Sequence, residues 1–294
     1  MIVDLYRYLG GLAAVNAVLH FYEPRPDICR NISEEYNLIV FGDRIPTFSI
    51  DPSQININNL SVDTPVDEIT INNVRSIQLI SSRFENTGFV DTENYFTPEL
   101  SRTVVNSIST STTTGYKYTQ SLTVSSKFSF NFPVAGAENN ISFSVGFEQN
   151  LSTTETKTES TSTLMRIPPQ PVSVRPRTAK RVEISLFELA IPRIQNEISG
   201  FVTGTLPTIS NSHISDLYAV LTRTDSLCPN SYINRDDFLR IDHENRGLGL
   251  QGFGSLTGNL TSLDFAIRTT EYDLPSNTII NIENEIKRAH ILTQ

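Results

Sequence analysis

The stretch TQSLTVSSKFSFNFPVAGAENNISFSVGFEQNL, Thr119 to Leu151, alternates apolar and polar residues over two strand-lengths separated by a small polar tip. On the outgoing arm Leu122, Val124, Phe128, Phe130, Phe132 and Val134 share one parity, with Ser126 among them. Thr119, Ser121, Thr123, Ser125, Lys127, Ser129 and Asn131 share the other. The return arm repeats the pattern: Ile141, Phe143, Val145, Phe147 and Leu151 on one side, broken only by Gln149, against Ser142, Ser144, Gly146, Glu148 and Asn150. Period-two alternation of this length predicts a β-hairpin with one apolar and one polar face. Ala135 to Asn140, with Gly136 and Glu138, makes the tip. Matching the arms residue by residue sets Val134 against Ile141, Phe132 against Phe143, Phe130 against Val145 and Phe128 against Phe147. Ser126 then meets Gln149, Val124 meets Leu151, and Lys127 meets Glu148, so apolar, polar and charged positions all find partners.

A transmembrane β-strand needs about 9–11 residues, apolar towards lipid and polar towards the lumen. Both arms meet that description. The lipid face would be Leu122, Val124, Phe128, Phe130, Phe132, Val134, Ile141, Phe143, Val145, Phe147 and Leu151. The lumen face would carry Lys127, Ser129, Asn131, Ser142, Ser144 and Glu148. The plainer reading is a hairpin whose apolar face packs on a soluble sheet, and in a monomer that face must indeed be covered. The plainer reading leaves the flanking Ser/Thr tracts and the scarcity of charge on the polar face unexplained. A single hairpin in lipid would leave edge N–H and C=O groups unpaired, so insertion has to be collective and end in a closed barrel of several copies.

Working outward, Ser107, Ser109 and Thr110 to Thr114 form one Ser/Thr tract and Ser152 to Thr163 another. The second alternates Thr154, Thr156, Thr158, Ser160 and Ser162 with Glu155, Lys157 and Glu159, which fits strands better than a linker. Further strand candidates are Tyr36–Phe41, Gln54–Leu60, Glu68–Val74, Ser76–Phe84, Lys180–Leu189, Phe201–Leu206, Leu217–Arg223 and Leu263–Thr270. The Gly-rich stretch from Gly247 to Gly258 reads as turns. At the N-terminus, Ile2, Leu5, Tyr6, Leu9 and Ala13 suggest an amphipathic helix, weakened at Gly10-Gly11. A signal peptide is the lesser alternative there, since no basic region precedes Leu9–Phe21 and no small-residue cleavage site follows. The prolines of Glu23-Pro24-Arg25-Pro26-Asp27 read as a connector. The first eighty residues thus form a small α+β head on a mostly β chain.

Composition agrees. Of 294 residues, only 19% are charged and 38% hydrophobic, with Ser, Thr and Asn filling the difference, and the all-β prior follows. A net charge of −9 leaves no basic footprint for nucleic acid. The two cysteines, Cys29 and Cys228, either bridge distant segments or remain separate buried thiols, and the second reading is favoured. No metal or cofactor motif appears. The histidines His20, His213, His243 and His290 are widely spaced, and Asp242-His243-Glu244 reads as a surface turn rather than a catalytic cluster. The chain is therefore not read as an enzyme.

Asn86-Thr87, Thr103, the Ser107–Gly115 tract, the hairpin, the second tract and Pro168…Val172-Ser173-Val174-Arg175-Pro176 together resemble the epsilon-toxin and mosquitocidal-toxin family. That family belongs to the aerolysin-like β-pore-forming toxins, which include bacillar crystal toxins such as the parasporins. The resemblance spans roughly residues 80 to 190. It implies an elongated protomer with long antiparallel strands and β-sandwich domains. It divides the chain into a receptor-binding head (1–80, with part of 190–250), a pore-forming core (81–190) and a C-terminal β-rich region (191–294). Residues 277–294, containing Lys287-Arg288, would be a removable propeptide. It further implies a surface receptor (a glycan, glycoprotein or lipid-anchored protein), an activating protease, and a homo-oligomer, commonly a heptamer. The protein would be secreted or laid down in a bacterial parasporal crystal and act at a host plasma membrane. With no tryptophan in the chain, receptor contact would fall to tyrosines such as Tyr6, Tyr8, Tyr22 and Tyr36. The rival reading is a non-lytic storage or carbohydrate-binding protein on the same fold.

Overall fold

Runs of β-branched and aromatic residues in Thr178–Pro207 and in the second half of Gly247–Asp273 have no helix-compatible period, and these two segments form very long strands. The computed structural model describes residues 1–21, 26–40, 42, 48–119, 121–134, 137–207, 214–229 and 239–292. In chain order the elements are β1 (Ile2–Asp4), α1 (Leu5–Phe21), α2 (Pro26–Val40), β2 (Ile55–Asp63), β3 (Val74–Asn86), β4 (Glu93–Phe96), β5 (Leu100–Lys117) and β6 (Thr123–Pro133). Then come β7 (Asn140–Asn150), β8 (Lys157–Ile167), β9 (Pro171–Val174), β10 (Thr178–Pro207), β11 (Ile214–Asp216), α3 (Leu217–Leu227), β12 (Leu239–Asp242), β13 (Gly247–Asp273), β14 (Ile279–Arg288) and β15 (His290–Leu292).

The spine is the antiparallel pair β10–β13, running from Thr178 opposite Asp273 to Val202 opposite Leu248. At about 3.3 Å per residue, the 30-residue β10 spans roughly 100 Å. Its register shifts between Leu186 and Glu188 and again between Ile191 and Ile194. Pro192 lies in the second shift, where a residue without an N–H is tolerated in an otherwise central strand. These irregularities divide the spine into two halves with different neighbours. Beside Thr178–Leu189 the spine is flanked by β3, and β14 flanks Asp264–Tyr272. Beyond the bulges, β2 flanks Glu197–Gly204 and β5 flanks Phe253–Asn259. β5 continues into a pairing with β8, Leu100 to Thr110 against Ile167 to Lys157. Both Ser/Thr tracts are therefore partly or wholly strand, and Ser109 and Thr158 bond across that ladder at 2.8 Å.

Three buried apolar clusters fill the molecule. One joins the helices to the lower spine (Leu5, Leu9, Leu12, Val202, Leu206, Leu221). The second lies beneath the hairpin, and the third between β8, β9 and the upper spine (Met165, Val174, Ile184, Phe265). Residues singled out for the family resemblance meet at the far end of the third cluster. Buried Asn86 donates Nδ2 to the carbonyls of Asp91 (2.7 Å) and Val174 (3.0 Å). Arg175 forks onto Glu271 through two bonds of 2.9 Å. Despite the opposing effect of burial, that guanidinium and nearby Lys180 hold the Glu271 carboxyl below its ordinary value.

Several expectations are corrected. Tyr36–Phe41 is not a strand: as far as Val40 it belongs to α2, whose first residue is Pro26, a position where proline's missing N–H costs nothing. Leu217–Arg223 belongs to α3, with Asp216 capping the amide of Ala219 at 3.0 Å and Leu217, Val220, Leu221 and Thr224 buried on one face. The Gly-rich stretch is not a set of turns but half of β13. There glycine allows close strand approach: a Cβ on Gly258 would sit 2.4 Å from the Ser107 carbonyl. Glu68–Val74 is not a strand of its own: Val66–Glu68 and Ile71–Asn73 are short 3₁₀ turns, and Val74 opens β3. Cys29 and Cys228 are bonded, with Cα atoms 5.5 Å apart, so the favoured free thiols were wrong. The bridge ties α2 to the end of α3 in a head too small to rest on one apolar seam.

Candidate membrane-inserting hairpin

β6 and β7 form a two-stranded sheet of their own, with no ladder among the described residues to the eleven-stranded body. Their alternation orients them as the sequence requires. Phe130, Phe132, Ile141, Phe143 and Phe147 are buried against Ile108, Phe187, Leu189, Ile191, Ile194, Leu256 and Leu260 of the body. Phe128, Val134 and Val145 pack at the margin of the same cluster. The rings touch one another along the face, with centroids 5.0 Å apart for Phe128–Phe130 and 6.1 Å for Phe132–Phe143. At the base, Leu151 is buried and its carbonyl accepts from the Tyr116 amide (2.9 Å), while Leu122 packs against the cluster that joins the helices to the lower spine. Val124 is half-buried. On the other face Lys127, Ser129, Asn131, Ser144 and Glu148 are exposed and Ser142 is half-buried. Glu138 of the tip is exposed, and Gly136 lies outside the described residues.

The pairing within the hairpin differs from expectation by two residues. Phe132 faces Ile141, Phe130 faces Phe143, Phe128 faces Val145, Ser126 faces Phe147, Val124 faces Gln149 and Lys127 faces Gly146. Parity is preserved, so every side chain keeps its face, but the matched pair Lys127–Glu148 is absent. Glu148 instead lies 3.4 Å from Lys157 of β8, whose pKa is raised chiefly by Glu159 and also by Glu148. The physical reason is that both registers set phenylalanines against apolar partners in the middle of the hairpin. An exposed charge pair contributes too little to choose between them.

Gln149 is the residue whose importance the pattern concealed, since it looked like a flaw in the apolar face. It is fully buried, and its amide bonds to Asn196 of β10 and to Ser111 and Thr112 of β5. The body-facing edge of β7 is likewise satisfied by side chains instead of a strand. The Ser142 amide donates to Asp264 Oδ2 (2.8 Å), and the Ser142 carbonyl accepts from Ser262 (2.9 Å). The carbonyls of Glu148 and Asn150 accept from Thr110 (3.2 Å) and Thr112 (2.8 Å).

The tyrosines named for receptor contact are partly displaced from that role. Tyr8 and Tyr36 are 2% exposed and stack edge to face at 5.7 Å inside the helical core, because α1 and α2 turn them towards each other. Tyr6 is half-buried and bonded to Ser49 at 3.1 Å, and Tyr22 lies outside the described residues. Beside Tyr6, buried Tyr118 has its pKa pushed up to about 12, by burial first and then by Asp51 and Tyr6.

Residues 48–283 match the family model described as Clostridium epsilon toxin ETX/Bacillus mosquitocidal toxin MTX2, and the chain belongs to that family. No curated protein matches it by sequence. Among solved structures it is similar to the Cry23Aa1 and Cry37Aa1 binary protein complex, at 20% identity and TM-score 0.60 over 90% of this chain and 96% of that one. A non-toxic crystal protein from Bacillus thuringiensis matches at 18% identity and TM-score 0.58, over 95% and 100% of the two chains. The Mpp75Aa1.1 beta-pore-forming protein from Brevibacillus laterosporus matches at 16% and 0.53, over 99% of each. The fold is thus mostly β, with long antiparallel strands and a helical head, and it is shared with crystal proteins and a β-pore-forming protein.

Proposed function

We propose that the chain is the water-soluble protomer of a pore-forming toxin that binds a cell-surface receptor, is trimmed by a protease, and assembles into a homo-oligomeric ring such as a heptamer. Each subunit then contributes the segment Thr119 to Leu151 to a transmembrane β-barrel. The fold is shared by a pore-forming protein and a non-toxic crystal protein, so the reading rests on the hairpin. The observation that carries it is an alternating β6–β7 sheet whose apolar face is covered, whose polar face is wet, and which no ladder attaches to the body. Leaving the body for lipid exchanges one apolar environment for another, and each large side chain avoids roughly 1.5–3 kcal/mol of exposure in either place.

In this reading the head, built from α1 to α3, meets the receptor. The C-terminal segment serves as the propeptide. β14 covers the edge of β13 from Asp264 to Tyr272 and β15 covers β8 from Leu164 to Arg166, so removing both frees strand edges for a neighbouring copy. Lys287 sits inside a paired strand and is bonded to Gln170, which favours cutting in the exposed turn Pro275–Thr278 over Lys287-Arg288. The protein would be made as a crystal or secreted protoxin acting at host plasma membranes.

The test is a trap. A cysteine replacing Phe143 and one replacing Leu260 of β13, both in the buried cluster beneath the hairpin, should lock the hairpin when oxidised. Lysis of target cells should vanish in the oxidised protein and return on reduction. Undiminished lysis by fully oxidised protein would show that the segment need not leave the body.

A further inference from the structure

Across three neighbouring strands of the body, Asn196 of β10, Gly254 of β13 and Thr112 of β5 stand in one row. The Gln149 side chain enters the molecule at that row. Its Oε1 accepts from Asn196 Nδ2 at 2.7 Å, and its Nε2 donates to Thr112 Oγ1 at 3.1 Å and to the Ser111 carbonyl at 3.2 Å. Glycine at 254 makes the slot: a Cβ there would lie 2.1 Å from Gln149 Nε2 and 2.5 Å from Asn196 Oδ1. Gln149, Thr112 and Asn196 are all at most 2% exposed. A polar side chain has no use on the lipid face of a barrel strand, whereas here all of its bonds are to the soluble body.

The surroundings point the same way. Thr110, Thr112, Ser262 and Asp264 occupy outward backbone groups of β7 with side-chain bonds. Among the described residues, no hydrogen bond joins the outer edge of β6 to the body. The two edges of the hairpin are therefore unequal, with β6 open and β7 stopped. A closed ring of hairpins needs each β7 edge to receive the β6 edge of a second copy.

We propose that the Gln149 slot is the release latch of the hairpin, and that the side chains along β7 keep its pairing edge shut until the latch opens. Apolar contacts weaken gradually as surfaces slide, but a buried amide held by three directional bonds loses them together over a small displacement. The latch accordingly makes release cooperative: the hairpin stays docked or leaves whole, and the edge that binds the next copy appears only with release. The purpose of the latch rests on the pore-forming reading, but its existence does not.

Hydrogen exchange on the soluble full-length protein separates the two. Asn196→Ala leaves Gln149 Oε1 buried without its donor, and Thr112→Val removes one of the two acceptors of Gln149 Nε2 together with the bond to the Asn150 carbonyl, with no change in the hairpin sequence. The cost of an unpaired buried group predicts that β6–β7 amides exchange about tenfold faster or more in both variants. Amides of the upper spine, 178–189 and 264–272, should exchange as in the parent. After trypsin treatment both variants should also release dye faster from phosphatidylcholine–cholesterol vesicles. Unchanged hairpin exchange overturns the latch, as does a rise of equal size throughout the spine, which would mark a merely structural network. If no form of the protein releases dye from any target membrane, the pore-forming reading fails while the exchange result still judges the latch.

Discussion

The hairpin β6–β7 and the spine β10–β13 are both antiparallel pairs of alternating strands, yet they are attached to the molecule in opposite ways. The spine is flanked by other strands on either edge, β3 and β2 along β10, β14 and β5 along β13. Among the described residues each spine strand takes part in four ladders, and removing it would break them all. The hairpin is held by one apolar face and a few side-chain bonds along one edge. It can depart without breaking a backbone ladder of the body. Detachability is thus a matter of which groups satisfy the strand edges, and the hydrophobicity of the two pairs does not reveal it.

A charge placed in each pair should break this comparison most visibly. Ile198 of the spine is fully buried, and Ile198→Asp strands an unpaired carboxylate in the core. We expect no folded protein, by near-UV circular dichroism and gel filtration. Val145 is half-buried at the margin of its cluster, and Val145→Asp should fold and bind cells yet fail to permeabilise them. A charge on the outer face of a barrel at mid-bilayer costs roughly 2–4 kcal/mol per strand for Arg or Lys and somewhat less for Asp, multiplied around the ring. Phe130→Asp should fail both ways, because Phe130 is 6% exposed in the soluble form. Full lytic activity in Val145→Asp would remove the hairpin from the mechanism.

The next effect separates the regions by pH. The folded pKa of Glu271 lies below its ordinary 4.5, through Arg175 and Lys180 acting against burial. Its stabilisation is complete above the unfolded value and is lost as pH falls through the folded one. Thermal unfolding of the upper spine should therefore shift down below about pH 4.5, and Glu271→Gln should flatten that part of the profile. A parent profile identical to that of Glu271→Gln would mean the ion pair contributes nothing.

Much of this was written in the sequence, and what was missed has physical causes. Period two over Leu122–Val134 and Ile141–Phe147 marked both faces of the hairpin, because a one-residue slip would turn every side chain over. A two-residue slip turns none over, so alternation does not fix the register, and Asn196, the partner that explains Gln149, lies far along the chain where local pattern does not reach. Gln149 looked like an imperfection for the same reason. The helices α2 and α3 were signalled by Pro26 at a helix start and by the Asp216 cap. Their short apolar runs, Tyr36–Phe41 and Leu217–Arg223, look equally like strands. Glycines 247–258 suggested turns because glycine's use for close approach appears only when neighbouring strands are known.

The smallest effect concerns the polar face. In the observed register Lys127 and Glu148 are offset, opposite Gly146 and Ser125. Two strand residues are about 7 Å, inside the Debye length of about 8 Å at physiological salt, so their fields should still largely cancel in a lumen. The parent channel is expected to be weakly selective, with Glu138 at the tip setting any bias. Lys127→Glu should move the reversal potential towards cation selectivity in planar bilayers. A conducting variant with an unmoved reversal potential would place Lys127 outside the lumen.

Alternation in the membrane-bound state tests the central claim most directly. Single cysteines at positions 128, 129, 130, 131, 143, 144 and 145, each labelled with an environment-sensitive fluorophore, are compared before and after assembly on target membranes. Positions 128, 130, 143 and 145 should become accessible to a lipid-phase nitroxide quencher, and positions 129, 131 and 144 to an aqueous one. The same labels on soluble protein should show no lipid-phase quenching. Membranes permeabilised by protein whose labels show no such alternation, or remain as in the soluble form, would contradict the account.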